Sequence, residues 1–397
     1  MSCRVNLLAP DVRANPYPLY AELRRHTPVC RVDPGGLWAV SRYDDVVTVL
    51  KHPQPFSSEG IRRTYRPEWI PDYPMADSML VMDPPCHTRL RALVNRAFGT
   101  SVLHRLEERV RELAHQVVTA LPAGRPVDFV DGFSSRVPIC VLGELVGIPP
   151  SLHAQLKQWA EVMTRFTSVG PDDLELQEQI RAALAEARRH FEQVLEERRH
   201  EPRDDLISDL LQARVDGEAL TDTELMGFMF LLLIGGLETT VHLLSSCVLK
   251  FQEDPALMTR LREEPALIPR FLDEMLRHSG PVHGIVRMVT DDVELGGVQV
   301  PRGERLLLLL ASANRDEAQF PDPDRFDMER PGPQNLPFGH GAHFCLGAQL
   351  ARMEARLALE ALLARFARLT LGNEPARWNI SLVIRGPTWL PLAGHLD

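Results

Sequence analysis

The chain has 397 residues, of which 44% are hydrophobic and 25% are charged, and its formal net charge is −10. A globular chain of this length and composition can bury a large core and still enclose an internal cavity. The negative charge argues against a nucleic-acid-binding surface over the whole molecule, so we expect no nucleic-acid partner.

The predicted elements indicate a mainly α protein with small β-sheets. Helical periodicity dominates, strand signals lie at both ends of the chain, and we expect a single domain over residues 1–397. In chain order, the elements are an extended segment at 37–40, helices at 101–121, 173–200 and 222–252, extended segments at 293–300 and 305–310, a helix at 347–369 and an extended segment at 378–392.

The helix at 222–252 has the clearest start signal. Thr221 is followed three residues later by Glu224, which is the spacing of a capping box. The helix is apolar almost all round, which predicts a buried central position. Gly296-Gly297 predicts a tight hairpin turn in the extended segment at 293–300.

Six cysteines are scattered along the chain without a C-x-x-C pair, at Cys3, Cys30, Cys86, Cys140, Cys247 and Cys345. This excludes the common zinc and thioredoxin spacings and predicts mostly buried free thiols in a reducing compartment. The N-terminus does not resemble a signal peptide, and the longest apolar stretch, 228–237, is too short to span a bilayer. We therefore expect a cytoplasmic protein without a membrane partner.

The segment at 338–347 reads FGHGAHFCLG, with two glycines before Cys345 and one after it. Glycine permits positive φ, and backbone amides at the start of the following helix favour a thiolate over a thiol. A thiolate donates strongly to haem iron. Phe338 can cover the sulfur side of such a ligand. For a lone cysteine, a structural role in a glycine-rich turn is the alternative.

The string F-G-x-G-x-H-x-C-x-G resembles the haem-binding signature of cytochromes P-450, and residues 338–347 meet every fixed position. The resemblance extends over nearly the full chain and is greatest to the soluble bacterial members. It implies the cytochrome P-450 fold around a buried heme b, with Cys345 as the axial ligand to iron.

The same resemblance implies a binding site for the two haem propionates. Residues 83–91 resemble the start of the propionate-binding helix of the family. His87, Arg91, Arg287 and His343 are the candidate ligands, because two buried negative charges must be paired. Cys86 stands where many relatives carry an acidic residue, and the sequence suggests no function for it.

The central helix contains Gly235, Gly236, Glu238 and Thr239 within an apolar run. Adjacent glycines destabilise a helix interior, and a buried carboxylate is costly, so both need a reason. The resemblance implies that Gly235 leaves room for oxygen and that Glu238 and Thr239 deliver protons during catalysis. A helix–helix contact through small residues is the alternative.

Glu274 and Arg277 form an E-x-x-R pair on one helix face, where a surface ion pair is the alternative. The resemblance implies that the pair is buried and structural, with Arg325 in the partner segment.

Substrate contacts are expected from scattered apolar side chains and one polar side chain. The candidates are Leu231, Ile234, Val282, His283, Val383 and Ile384, with a lid at 60–80 that carries Tyr65, Trp69 and Tyr73 and is closed by Met163 and Phe166. This set predicts a largely apolar pocket for a terpenoid, steroid, fatty-acid or macrolide-like substrate.

The function implied by the resemblance is a monooxygenase that transfers one atom of O2 to a lipophilic small molecule. The resemblance also implies a monomer that receives electrons from a ferredoxin and a ferredoxin reductase. A proximal basic patch could bind an acidic ferredoxin, and its candidates are Arg89, Arg96, Arg105, Arg352 and Arg356. A peroxide-driven peroxygenase, a haem-thiolate isomerase and a non-enzymatic haem-thiolate binder are the alternatives.

Overall fold

A computed structural model of the protein describes residues 5–170, 172–331 and 335–396. The α-helices in these residues are α1 (Pro10–Ala14), α2 (Tyr17–His26), α3 (Tyr43–Lys51), α4 (Cys86–Ala97), α5 (Thr100–Ala120), α6 (Arg136–Leu145), α7 (His153–Thr164), α8 (Leu174–His200), α9 (Leu206–Gln212), α10 (Asp222–Glu253), α11 (Pro255–Glu263), α12 (Ile268–Ser279), α13 (Leu310–Ala313) and α14 (Ala348–Arg365). The strands are β1 (Val5–Asn6), β2 (Val29–Asp33), β3 (Leu37–Val40), β4 (Phe56–Ser57), β5 (Val127–Asp128), β6 (Gly284–Val289), β7 (Val293–Leu295), β8 (Val298–Val300), β9 (Arg305–Leu309), β10 (Arg368–Leu371), β11 (Arg377–Trp378), β12 (Pro387–Trp389) and β13 (Pro391–His395).

The strands form one larger sheet and three small ones. The larger sheet has the order β1-β2-β3-β9-β6-β4, and the others are β10-β13-β5, β11-β12 and β7-β8. Gly296 and Gly297 make the predicted turn of the β7–β8 hairpin, both with positive φ. The fold class predicted from the sequence, mainly α with small sheets, is confirmed.

Helix α10 is the central element, and it contacts α6, α7, α12 and α14. Its capping box is present, because Thr221 Oγ1 accepts from the Glu224 amide at 3.2 Å and Glu224 Oε2 accepts from the Thr221 amide at 2.9 Å. By length and composition alone, the helix could cross a membrane. However, 61% of its most apolar 18-residue segment is buried inside the fold. That burial is the pattern of a central core helix.

The last predicted helix ends earlier than expected, at Arg365 rather than at 369. Phe366 has extended backbone angles, and Arg368–Leu371 pairs with β13 in an antiparallel register. The helical pattern of the sequence continues to residue 369, but pairing of these last residues with β13 places them in a strand instead. The segment at 378–392 is extended only in part, because residues 379–386 lie between strands β11 and β12.

The prediction that the cysteines are mostly buried is wrong for the described residues, and Cys3 lies outside them. Cys247 is buried, Cys30 and Cys140 are half-buried, and Cys86 and Cys345 are accessible. All five are free thiols. Cys86 starts α4 at the protein surface, whereas Cys345 faces an internal cavity.

The Glu274–Arg277 pair is buried, with 5% and 3% of each residue exposed. Arg277 donates to both carboxylate oxygens of Glu274 at 2.7 and 2.8 Å and to the Arg325 carbonyl at 3.3 Å. The guanidinium of Arg325 is 67% exposed, so this residue contributes its backbone rather than its charge. The second buried arginine beside Glu274 is Arg330, at 3.5 Å.

We expect Glu274→Ala to lower the free energy of unfolding by about 3–5 kcal/mol, because it leaves the Arg277 guanidinium buried without its partner. Urea denaturation of the purified protein measures this loss. Arg325→Ala is the matched control, and it should unfold like the unsubstituted protein because its carbonyl remains. Equal destabilisation by the two substitutions would show that the buried pair is not the stabilising element.

Candidate functional site

The loop before α14 places the Cys345 side chain in a cavity. Gly341 has a φ of +71°, and a Cβ added there would lie 2.6 Å from the Leu50 carbonyl oxygen, so only glycine fits. The Cys345 amide donates to the Phe338 carbonyl at 2.9 Å, which closes the loop. Gly347 caps α14 two residues later. The thiol is thereby held next to the first turn of a helix.

The protein environment alone does not make Cys345 a thiolate. Burial raises the pKa of its thiol, although the Gly347 amide and the guanidinium groups of Arg91 and Arg352 act in the opposite direction. The amides predicted from the sequence are therefore present, but desolvation outweighs them. A metal cation bound to the sulfur would reverse this balance, because a coordinating thiol is deprotonated outright.

Cys345 lines a cavity of about 340 Å³, which we call the cysteine cavity. Its walls come mainly from α4, α6, α10, α12, α14, β6 and the loop at 338–347. The predicted site residues on these walls are His87, Arg91, Leu231, Gly235, Thr239, Val282, Phe338, His343 and Cys345. The remaining walls are mostly apolar, with residues such as Phe98 and Leu142. The structure therefore brings together nine residues that are far apart in sequence.

Four basic or imidazole side chains cluster at one end of the cysteine cavity. The rings of His87 and His343 lie 4.0 Å apart. Burial lowers the pKa of His87, and the charges of Arg91 and Arg287 lower it further. Arg287 is buried and does not itself line the cavity, and burial lowers its pKa to about 10. Burial, together with Arg287, lowers the pKa of His343 to about 3.

This basic cluster, consisting of His87, Arg91, Arg287 and His343, has the chemistry to bind an anion. Within the described residues, none of its members forms an ion pair with a carboxylate, and His87 Nε2 is buried without a hydrogen-bond partner. The nearby carboxylate of Asp83 accepts instead from Ser57 and from the Ser58 amide. A buried positive potential of this kind favours a dianionic group, so the residues fit a haem with two propionates.

Helix α10 separates the cysteine cavity from a second cavity. Thr239 faces the cysteine cavity, and its hydroxyl donates to the Gly235 carbonyl at 2.9 Å. Glu238, one residue earlier, faces the second cavity. A Cβ at Gly236 would meet nothing within 4 Å, so this side of the helix is open. Glu238 and Thr239 therefore lie on different faces of α10.

The second cavity, which we call the outer cavity, has a volume of about 960 Å³. Leu231 and Gly235 line both cavities, and Ile234, Val383 and Ile384 line the outer one. Its wall is more polar than the sequence suggested. The polar contributors are Tyr65, Tyr73, Asp128, Asp131, Ser135, Lys157, Glu161, Thr164, Arg165, Asp173, Glu238, His242, Asn379, Ser381 and Thr388.

An aromatic cluster covers one side of the outer cavity. Phe166 stacks on Tyr73 with ring centroids 4.6 Å apart and on Tyr65 at 5.8 Å, and Trp69 packs on Phe166 at 5.6 Å. Tyr65, Tyr73, Met163 and Phe166 line the cavity, whereas Trp69 does not. The segment at 60–80 therefore covers the cavity in the position expected for a lid.

His283 does not lie where the sequence suggested. It lines neither cavity but sits in a small pocket with Tyr20 and Arg385. Its Nδ1 and the Tyr20 hydroxyl are 3.2 Å apart, and its ring packs against Tyr17. Helix α2 covers this face of β6, and a sequence pattern does not reveal that contact. The predicted substrate contact of His283 is therefore corrected to a structural role.

We expect His283→Phe to leave substrate binding unchanged and to alter stability. Burial lowers the pKa of His283 from 6.5 to about 3, so unfolding takes up a proton between those values and stability falls as the pH drops through that window. Removing the imidazole should reduce the pH slope of the unfolding free energy by about 1.4 kcal/mol per unit. Urea denaturation from pH 4 to 7, in roughly unit steps, measures this slope.

Tyr20→Phe is the control, since it removes the hydroxyl partner but keeps the histidine. This variant should retain the pH slope. A changed oxidation site in His283→Phe would contradict the structural assignment.

The proximal basic patch is also corrected. Arg89 pairs with Glu218 and Glu224, Arg105 with Asp204 and Asp209, Arg352 with Asp273, and Arg356 with Glu107 and Glu360. Arg96 donates to the Arg214 carbonyl. Four of the five arginines are thus paired with acids of the chain, and every acidic partner except Glu360 comes from a distant segment that sequence spacing does not connect.

Three site residues were missed in the sequence. Thr240 lines the cysteine cavity beside Thr239, and His242 lines the outer cavity four residues after Glu238. Glu354 on α14 also lines the cysteine cavity, where burial raises its pKa to about 8. The i, i+4 spacing of Glu238 and His242 is the signal that could have identified His242.

Comparison with known proteins identifies the family. The model of the family Cytochrome P-450 matches residues 151–380. The chain is 37% identical to the mycinamicin IV hydroxylase/epoxidase of Micromonospora griseorubida, over 94% of each chain. It is also 37% identical to the vitamin D(3) 25-hydroxylase of Pseudonocardia autotrophica, over 95% of this chain and 93% of that protein. The structure of cytochrome P-450 CYP109Q5 from Chondromyces apiculatus superposes with a TM-score of 0.92, with 38% identity and full coverage of both chains.

The chain therefore belongs to the cytochrome P-450 family. It is a haem monooxygenase of the bacterial type, and its cofactor is haem with a cysteine thiolate as the iron ligand.

Proposed function

We propose that this monooxygenase inserts one oxygen atom from O2 into a lipophilic small molecule, by hydroxylation or epoxidation, in the cytoplasm. One observation carries the proposal. A single cavity is lined by Cys345, by three members of the basic cluster and by Thr239, and it adjoins a cavity of about 960 Å³ that can hold a large substrate. These are the groups that iron binding, propionate binding and proton delivery require.

The residues of the cysteine cavity would hold the cofactor in a defined orientation. Cys345 would bind the iron, and the basic cluster would bind the propionates. Phe338 would cover the sulfur, with the Arg352 guanidinium 4.5 Å from its ring centroid, and the bare backbone at Gly235 would leave room for O2 in this cavity. The haem supplies O2 activation and one-electron redox chemistry when bound.

Glu238 and Thr239 are the proposed catalytic residues. The Thr239 hydroxyl reaches the cysteine cavity, where it can hold and donate a proton. Its bond to the Gly235 carbonyl keeps the hydroxyl in place between turnovers. Glu238 reaches the outer cavity, where water can protonate it. Because the two residues are adjacent on α10, the pair links the outer cavity to the cysteine cavity from one side of the helix to the next.

The proposed substrate contacts are Leu231, Ile234, Val282, Val383 and Ile384. The names of two relatives specify a macrolide and a secosteroid substrate, and the volume and mixed lining of the outer cavity suit molecules of that size. We therefore favour macrolide-like or steroid-like substrates over fatty acids and small terpenoids, because the polar side chains of the outer cavity can pair with their oxygen atoms.

We further propose that the protein acts as a single-domain monomer that receives electrons from a ferredoxin and its reductase. A spectral-shift screen of macrolides and steroids identifies a ligand first. Each ligand is then incubated with the protein, ferredoxin, reductase, NAD(P)H and O2, and a product containing one added oxygen supports the proposal. Product from hydrogen peroxide alone would indicate a peroxygenase, and binding without product in either system would indicate a ligand binder.

A further inference from the structure

Glu238 has a buried partner on the same helix, one turn towards the C-terminus. Its Oε1 lies 3.3 Å from His242 Nε2, which is the contact expected at i, i+4 spacing. The His242 side chain is 4% exposed and that of Glu238 is 24% exposed. Both line the outer cavity. Among the described residues, this histidine is the one hydrogen-bond partner of the Glu238 carboxylate.

The fold makes specific room for the His242 ring. A Cβ added at Gly386 would lie 2.0 Å from His242 Cγ, so a larger residue there would displace the imidazole. Gly386 is held in place by Asn379, whose Oδ1 accepts from the Gly386 amide at 3.1 Å. The ring is therefore clamped between α10 and the segment before β12.

Clamping the ring leaves one of its polar atoms unsatisfied. His242 Nδ1 is buried and has no hydrogen-bond partner among the described residues. An unpaired buried polar atom is unfavourable, and a phenylalanine or leucine would fill the same space without it. The histidine at this position is therefore explained by its other nitrogen, which contacts Glu238.

We propose that His242 is a positioning residue for proton delivery. Its Nε2–H donates to the Glu238 carboxylate and holds that group at the wall of the outer cavity, where water can protonate it. Without this bond, the carboxylate is free to rotate into the open space of the outer cavity. This inference rests on the proposed role of Glu238 as a proton donor.

The test compares His242→Phe, which removes the donor, with His242→Gln, which keeps an amide donor of similar reach. Ser245→Ala is the matched control, because Ser245 is also buried on α10 and bonded to it, through the Val241 carbonyl, but lines neither cavity. The measured quantity is the ratio of product formed to NAD(P)H consumed, together with its solvent deuterium isotope effect. We expect His242→Phe to lower this ratio about 10- to 100-fold, by analogy with the loss caused by removing a partner that orients a metal ligand.

His242→Phe should also show a larger solvent isotope effect. His242→Gln and Ser245→Ala should have a product ratio and an isotope effect close to those of the unsubstituted enzyme. Coupling in His242→Phe equal to that of Ser245→Ala would overturn the inference. A loss in His242→Gln as large as that in His242→Phe would also overturn it, since it would indicate packing rather than hydrogen bonding.

A measurement without turnover tests the contact itself. In the reduced carbon-monoxide complex of the holoenzyme, labelled with ¹⁵N-histidine, Glu238→Gln should shift the Nε2 resonance of His242, which is assigned by its absence in His242→Gln. No shift would overturn the positioning role. If Glu238→Gln forms as much product per NAD(P)H as the unsubstituted enzyme, both the proposed proton donor and this inference fail. If Glu238→Gln forms less product per NAD(P)H while His242→Phe is unaffected, only the inference fails.

Discussion

Thr239→Ala is expected to bind haem and substrate normally but to release hydrogen peroxide in place of product. The Thr239 hydroxyl lies on the wall of the cysteine cavity, where the α10 residues other than Thr239 and Thr240 are apolar or glycine. General acid assistance is worth typically about 10²–10⁴-fold. Product formed per NAD(P)H consumed should fall by an amount in this range, while the spectral dissociation constant of the substrate stays the same.

Thr239→Ser is the control for this prediction, because it keeps the hydroxyl and removes only a methyl group. It should retain most of the coupling. Unchanged coupling in Thr239→Ala would remove Thr239 from the mechanism, and Thr240, whose hydroxyl bonds the Gly236 carbonyl at 3.3 Å, would be the next candidate.

The fold and the cofactor site were largely predictable because their signals are local. The loop at 338–347 carries its own geometric requirement, since Gly339 and Gly341 both have positive φ. The capping box of α10 and the apolar run that follows it likewise depend on residues close in sequence. Such patterns can be recognised in the sequence because they do not depend on contacts with distant segments.

The features that could not be predicted depend on contacts between distant segments. His283 is turned away from the cavities by Tyr20, which lies 263 residues earlier. Arg105 is neutralised by Asp209, which is 104 residues away. Neither partner is marked by spacing or composition, so the charge and the direction of these side chains become visible only in the fold.

Cys345 is expected to be indispensable for the spectral signature of the enzyme. Burial raises the pKa of the free thiol, so haem binding must displace a proton, and iron coordination supplies the driving force. Cys345→Ala removes the only thiol that lines the cysteine cavity among the described residues, and Cys345→His offers a neutral nitrogen ligand in its place. Both variants should lose monooxygenase activity, and Cys345→His should retain more haem than Cys345→Ala. Cys86→Ala, which changes an accessible thiol outside this cavity, is the matched control.

The absorption spectrum of the reduced protein under carbon monoxide tests the central claim most directly. The unsubstituted protein and Cys86→Ala should show the long-wavelength band that gives the family its name and that marks a thiolate ligand. Cys345→Ala and Cys345→His should lack it. If the band persists in Cys345→Ala, another cysteine binds the iron, and the site described around Cys345 is not the haem site.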